Sequence, residues 1–124
     1  MRTTAAAATP DPAAVLTRAA LSAARRLGLR NRDLAAIIGA SEASVSRFSV
    51  GRTIGLETKE GELARLFVRL FRSLDALVGG DEAKARLWLH AENVHLGGVP
   101  AMLIRRVEGL VDVVQYLDSM RGRL

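Results

Sequence analysis

The amino-acid sequence predicts an all-α fold. Apolar residues recur three to four positions apart in successive segments of the 124-residue chain, which is the period of one helix face. Residues that favour helix ends lie between these segments, among them 11 glycines and three prolines. No segment has the strict alternation of a half-buried strand. We therefore expect several helices joined by short turns.

The composition is typical of one compact unit, or of a small domain with an appended helical piece. Hydrophobic residues make up 49% of the chain, which is enough to form a core. The sequence has no cysteine, which excludes disulfide bonds and thiolate metal sites, and no apolar run has the length of a membrane span. Residues 1–10 lack the apolar centre of a signal peptide and are expected to be a flexible tail. We expect a cytoplasmic protein without membrane contact.

The first helix is predicted to begin at Asp11 and Pro12, a capping residue followed by a residue that suits the first turn. Gly28 is expected to end it. The apolar stripe of this helix consists of Val15, Leu16, Ala19, Ala23 and Leu27.

The segment 31–50, NRDLAAIIGASEASVSRFSV, has the pattern of two short helices that cross over a tight turn. Gly39 can adopt the left-handed conformation that ends the first helix, and Ser41 is expected to cap the second. This pattern resembles the helix-turn-helix of Xre/Cro-type DNA-binding proteins, whose second helix enters the major groove. The alternative is an ordinary helical hairpin. The inward-facing positions are Leu34, Ala35, Ile38, Val45 and Phe48.

The positive charge is concentrated in the half of the chain that contains this segment. The net charge is +5, with nine basic and five acidic side chains in residues 1–60 against nine and eight in residues 61–124. Sixteen of the 18 basic residues are arginine, which suits bidentate contacts with phosphate, guanine or carboxylate. This distribution favours DNA binding, although a solvated helix surface can carry a similar excess.

The second helix of the hairpin supplies the candidate DNA contacts. Arg47 is the first choice for a base or phosphate contact, and Arg52 is expected to anchor a phosphate just beyond the helix. The small residues can approach the groove closely or bond phosphate, but each serine is at least as consistent with a solvated surface. The predicted DNA-binding residues are Ser41, Ala43, Ser44, Ser46, Arg47 and Arg52.

The second half of the chain continues the helical pattern. Residues 51–61 contain three glycines and predict a loop, after which apolar residues from Leu63 to Val78 trace a long helix. Its wide stripe fits either an internal core or a dimer seam. Asp81 can cap a helix that carries Trp88, and Pro100 can begin a short one before a final amphipathic helix. We expect a tail at 1–10, a DNA-binding region at 11–58 and a helical domain at 59–124.

Residues 88–122, WLHAENVHLGGVPAMLIRRVEGLVDVVQYLDSMRG, form a second signature. Their order of Trp-Leu, Asn, Leu-Gly-Gly, Pro, Leu and Glu-Gly before an amphipathic helix resembles the toxin-binding domain of Xre/MbcA/ParS-type antitoxins. The resemblance covers residues 60–122. Two positions depart from the family pattern. Arg106-Val107 replaces a small hydroxyl residue before Glu-Gly, and Val99 alone separates the glycines from the proline.

The resemblance implies an antitoxin that holds a RES-domain, NAD-consuming toxin inactive and represses the promoter of their shared operon. It implies that the chain end lies at the toxin's active-site cleft, where arginines suit a pocket for dinucleotide phosphates. A frayed tail is the alternative. Besides the toxin, the expected partners are operator DNA and a second copy of the chain in a homodimer. The toxin-binding residues implied are Trp88, Asn93, Leu96, Gly97, Gly98, Pro100, Arg121, Arg123 and Leu124.

Catalysis is not expected, because no nucleophile–base set, nucleotide loop or acidic pair stands out. His90 and His95 lie five residues apart without further ligands, so neither a metal site nor a cofactor is predicted. Two other functions stay open. One is a free-standing Xre-type regulator whose C-terminal half dimerises or senses a ligand, and the other is an inhibitor whose helix-turn-helix no longer binds DNA.

Overall fold

The structure is a computed structural model that describes residues 9–121, and within this range the chain forms seven helices and no strand. The all-α prediction is confirmed. Most of the predicted tail lies outside the described residues. The helices are α1 (Pro12–Arg26), α2 (Asn31–Ile38), α3 (Glu42–Phe48), α4 (Lys59–Leu77), α5 (Glu82–His90), α6 (Pro100–Leu103) and α7 (Val107–Arg121).

Helix α4 is the central element of the core, because it packs against α1, α2 and α7. Most of its apolar side chains are buried within the chain, with Phe67, Leu70 and Leu74 fully buried. Of the two alternatives for this stripe, the structure favours the internal core over a dimer seam. Helices α5 and α6 connect α4 to α7, and α3 packs on α2.

Capping residues define the helix starts that the sequence predicts. The side chains of Asp11, Ser41 and Asp81 each accept a hydrogen bond from a backbone N–H in the first turn of the following helix, at distances of 3.2, 3.0 and 3.1 Å. Gly39 follows α2 with a φ of 75°. These groups satisfy backbone atoms that a helix end otherwise leaves without partners.

Helix α4 begins earlier than the sequence predicts. Residues 51–61 were expected to be a loop, but the helix starts at Lys59. The Thr58 hydroxyl caps it by accepting a hydrogen bond of 3.0 Å from the Gly61 N–H. A Cβ atom at Gly61 would lie 2.2 Å from the Gly55 carbonyl oxygen. Gly61 therefore belongs to the helix and not to the loop. Its lack of a side chain permits the preceding loop to pack on the first turn of α4.

The exposed position of Val15 also differs from expectation. Val15 was placed on the apolar stripe of α1, but it is 42% exposed, while Leu16, Ala20 and Ala23 are buried. Successive residues of a helix point about 100° apart, so only one of positions 15 and 16 can face the centre of the core.

A buried hydroxyl fixes the loop that follows α3. Thr17 on α1 donates a hydrogen bond of 2.7 Å to the Ala13 carbonyl and accepts one of 2.8 Å from the Ile54 N–H. Both Thr17 and Ile54 are almost fully buried. The loop between α3 and α4 is therefore held on α1 by a satisfied polar contact inside the core.

The turn between α6 and α7 brings two backbone segments into direct contact. Gly109 lies in the first turn of α7, and a Cβ atom there would lie 1.9 Å from the Leu103 carbonyl oxygen. No other residue type fits without displacing one of the two helices. The turn thus depends on glycine for close approach.

Candidate functional site

The hairpin formed by α2 and α3 presents one side of α3 to solvent. Val45 and Phe48 are buried against the core, and Ala43, Ser46 and Arg47 are exposed. This division matches the inward and outward faces predicted from the sequence. Five residues of the candidate DNA-binding set lie on or directly before α3, and Arg52 follows it.

Two of the candidate serines are already hydrogen-bonded to each other. The Ser41 hydroxyl donates a bond of 3.0 Å to the Ser44 hydroxyl and accepts one of 3.0 Å from the Ser44 N–H. These contacts make Ser41 a capping residue of α3. Ser46 is exposed on α3.

Arg47 and Arg52 are connected at the end of α3. The Arg52 N–H donates a hydrogen bond of 3.1 Å to the Arg47 carbonyl. The Arg52 guanidinium lies 5.8 Å from the centre of the Phe48 ring, within the range of a cation–π contact. Both arginines are exposed. The structure therefore places two cations at the C-terminal end of α3.

In the C-terminal half, three aromatic rings form a column. The Trp88 and Tyr116 rings are stacked with their centres 6.3 Å apart, and His95 stacks on Tyr116 at 6.1 Å. The Trp88 side chain is half-buried, so it serves the packing of α5 against α7 and still reaches the surface. Sequence reasoning selected Trp88 but missed the other two rings, because Tyr116 lies 28 positions from Trp88 and 21 from His95, too far apart for a local signal.

A closed turn follows α5. The Asn93 N–H donates a bond of 2.8 Å to the Gly98 carbonyl, and the Asn93 side chain accepts one of 3.1 Å from the Leu96 N–H. Gly97 has a φ of 80°, which fits the sharp reversal of the chain. Pro100 then begins α6 and is buried. The candidate residues from Asn93 to Pro100 thus form one structural unit, with Asn93 as its hydrogen-bonding centre.

The departures from the family pattern fall at helix starts. Val99 precedes α6 and makes no side-chain capping bond. Arg106 precedes α7, and its side chain donates a bond of 3.1 Å to Glu108. Because valine has a hydrocarbon side chain, Val99 cannot accept a hydrogen bond from the N-terminal amides of α6.

The end of α7 is tied to α4 by a polar network. Asp118 accepts a hydrogen bond of 2.8 Å from Ser73 and also pairs with Arg69, and Arg121 donates a bond of 3.2 Å to the Ser73 hydroxyl. Partial burial raises the pKa of Asp118. The hydrogen bonds from Ser73 and Arg69, with the positive charges of Arg69 and Arg121, outweigh this effect and hold the pKa below its ordinary value.

This network determines where one predicted toxin-binding residue points. The Arg121 side chain is directed at α4, where Ser73 is almost fully buried. Arg123 and Leu124, the other two candidates at this end, lie outside the described residues.

Exposed apolar side chains lie mainly in the C-terminal half. Val94 is 91% exposed, Leu87 71%, Met102 59% and Val107 58%. Contiguous apolar surface is typical of a protein-binding region, whereas single exposed apolar residues occur on most protein surfaces. None of these four was selected from the sequence, since an apolar residue type alone does not show whether the side chain is exposed or buried.

Within residues 9–121 there is no cluster of three or more histidine, aspartate or glutamate side chains placed to hold a metal ion. In the same range no helix has the length and apolar character needed to cross a membrane. The fold and these surfaces define a helix-turn-helix protein with an attached helical binding domain.

Comparison with protein families identifies both halves. Residues 6–69 match the antitoxin Xre-like helix-turn-helix domain, and residues 73–123 match the antitoxin Xre/MbcA/ParS C-terminal toxin-binding domain. The chain therefore belongs to the family of Xre-like helix-turn-helix antitoxins, and it is an antitoxin of a toxin–antitoxin system. A search of curated proteins found no match. The two matched ranges meet within α4, and the division predicted at residues 58 and 59 stays a prediction.

Proposed function

We propose that this antitoxin neutralises a RES-domain toxin that consumes NAD, and that it represses its own promoter through the helix-turn-helix. The main support for the proposal is that one chain contains both family domains, at residues 6–69 and 73–123. Because a toxin-binding domain and a DNA-binding motif lie in the same chain, one molecule could both inhibit the toxin and repress the promoter. This combination supports the proposal.

On the DNA side, the proposal assigns major-groove contact to α3. The exposed Arg47 and Ser46 support this assignment, with Arg52 as a phosphate anchor. Helix-turn-helix proteins bind symmetric sites as dimers, so we propose a homodimer on the operator. Because operator DNA lies in the cytoplasm, we also propose that the antitoxin is cytoplasmic.

On the toxin side, the proposal assigns contact to the exposed apolar residues and to the turn from Asn93 to Pro100. Val94 lies in this turn and Leu87 precedes it on α5. Trp88, half-buried on α5, is included in the proposed contact surface. Arg123 and Leu124 are proposed to reach the toxin's cleft. Arg121, which donates a hydrogen bond to Ser73, is proposed to contact the toxin beside them.

The test compares two exposed valines in a strain that expresses the toxin encoded by the neighbouring gene. Val94→Asp is expected to abolish rescue of growth, because it places a charge in the apolar contact surface. Val50 is 84% exposed and follows α3, so Val50→Asp is the matched control and should retain rescue. NAD measured in the same cells reports the toxin's reaction.

Each result has a definite meaning. Rescue by both variants would contradict the assigned toxin surface. A neighbouring toxin that leaves cellular NAD unchanged would contradict the RES assignment. Unchanged promoter activity when the antitoxin alone is expressed would contradict autorepression.

A further inference from the structure

Three arginines from two parts of the chain line one concave surface. Arg30 and Arg32 lie at the start of α2, whereas Arg105 follows α6 in the toxin-binding domain. The hollow has a volume of about 450 Å³, and His90 and Met102 also line it. Both family domains therefore contribute positive charge to the same surface.

The charge of this surface is only partly balanced. Asp33 is the one acidic residue in the lining, and it accepts a hydrogen bond of 2.8 Å from the Arg30 N–H and lies 3.9 Å from the Arg30 Nε. Arg32 and Arg105 form no ion pair with any residue in the range 9–121. Both are exposed. Two guanidinium groups are thus available to an anion, and their planar geometry suits phosphate.

The surface also lies close to the DNA-reading helix. Asn31, between the two arginines at the start of α2, lines a neighbouring hollow together with Ser49, which ends α3. In a helix-turn-helix the first helix of the pair crosses the DNA backbone when the second enters the major groove. The anion nearest to Arg30 and Arg32 in such a complex is therefore a backbone phosphate.

We propose that Arg30, Arg32 and Arg105 bind DNA phosphates beside the site read by α3, so that the toxin-binding domain itself supplies a DNA contact. This inference rests on the proposed function, because it requires α3 to lie in the groove. Arg105 lies five residues after Pro100 of the predicted toxin-binding turn. Met102, an exposed residue of α6 just after this turn, lines the same hollow as Arg105.

The test measures the affinity of the full-length protein for two 30-base-pair duplexes over a series of salt concentrations. One duplex comes from the DNA upstream of the gene and the other has an unrelated sequence. Arg105→Ala is expected to reduce the slope of log affinity against log salt by about 1 on both duplexes, since each phosphate contact releases roughly one counterion regardless of sequence. Arg105→Lys should retain the slope.

Arg72→Ala is the matched control. Arg72 is also exposed and loses the same charge, but it lines a different groove. Equal slopes for the Arg105→Ala and Arg72→Ala proteins would overturn the inference while leaving DNA binding intact. A wild-type protein that binds neither duplex would overturn the inference and the proposed DNA function. Loss of toxin affinity in the Arg105→Ala protein without a change of slope would assign the surface to the toxin, and would also overturn it.

Discussion

The Ser73 hydroxyl on α4 donates a hydrogen bond of 2.8 Å to the Asp118 carboxylate on α7, across 45 residues of sequence. Ser73 is almost fully buried, and the same hydroxyl accepts a hydrogen bond from Arg121. The last turns of α7 are therefore aligned on the central helix by polar contacts as well as by Leu117, which is buried beside them.

Asp118→Asn is expected to lower the free energy of unfolding by about 1–2 kcal/mol. The substitution removes the negative charge that strengthens the bonds from Ser73 and Arg69. Partial exposure to water limits the contribution of these bonds to the free energy of unfolding. Urea unfolding followed by circular dichroism measures the change. Asp112→Asn, an exposed position on the same helix, should change stability by less than about 0.5 kcal/mol. Equal effects of the two variants would contradict the network's contribution.

The stabilising effect of Asp118 should depend on pH in a defined direction. Because its pKa is lower in the folded protein than in the unfolded chain, the unfolded chain binds more protons in acid. The advantage of the wild type over Asp118→Asn is thus complete above the unfolded pKa of about 3.9 and is lost as the pH falls through the lower folded value. Unfolding of both proteins between pH 7 and pH 2.5 tests this. A constant difference across that range would be inconsistent with it.

Thr17→Val is expected to cost about 1–3 kcal/mol, because it leaves the buried Ile54 N–H without an acceptor. Thr17→Ser retains the hydroxyl and should cost less. Thermal unfolding of both variants provides the comparison. If valine is tolerated as well as serine, the hydrogen bond to the loop contributes little.

Gly109→Ala is expected to destabilise the protein by about 3 kcal/mol, since its methyl group would overlap the Leu103 carbonyl. Gly79→Ala is the control. Gly79 has a φ of 65° but nothing within 4 Å of its Cβ position, so only the backbone penalty of about 1 kcal/mol is expected. Similar losses at both positions, measured by urea unfolding, would show that the close approach is relieved at low cost.

Arg47→Ala is expected to weaken binding to operator DNA by about 1–3 kcal/mol at fixed salt, the usual value of a good base contact. The loss should be smaller on an unrelated duplex, because a base contact carries sequence preference and a phosphate contact does not. Fluorescence anisotropy with both duplexes measures this, with Arg72→Ala as the charge-matched comparison. An equal loss on both duplexes would make Arg47 a phosphate contact only.

The sequence predicted the parts of the fold that depend on local chemistry. Asp11, Ser41 and Asp81 cap the helices that their side chains suggest, and Gly39 ends α2, because each effect acts within four residues. The start of α4 was missed since the contact between Gly61 and the preceding loop is a packing effect.

The candidate sites were predictable to a similar extent. The outward face of α3 follows from helical period, which places Arg47 opposite Val45 and Phe48. The column of Trp88, Tyr116 and His95 and the network at Ser73 join distant segments, and no local pattern encodes them. The exposure of apolar residues such as Val94 could not be predicted from the sequence either, because it depends on the conformation of the turn.

The central position of α4 limits how such antitoxins can exchange parts during evolution. The two family domains meet between residues 69 and 73, inside a helix that packs against α1, α2 and α7 at once. A recombination event that joined the helix-turn-helix domain of one antitoxin to the toxin-binding domain of another would have to cross over within this helix. It would succeed only between parents whose α4 side chains fit both sets of neighbours. Changes in what either domain binds should therefore arise mainly by substitution on the outer faces.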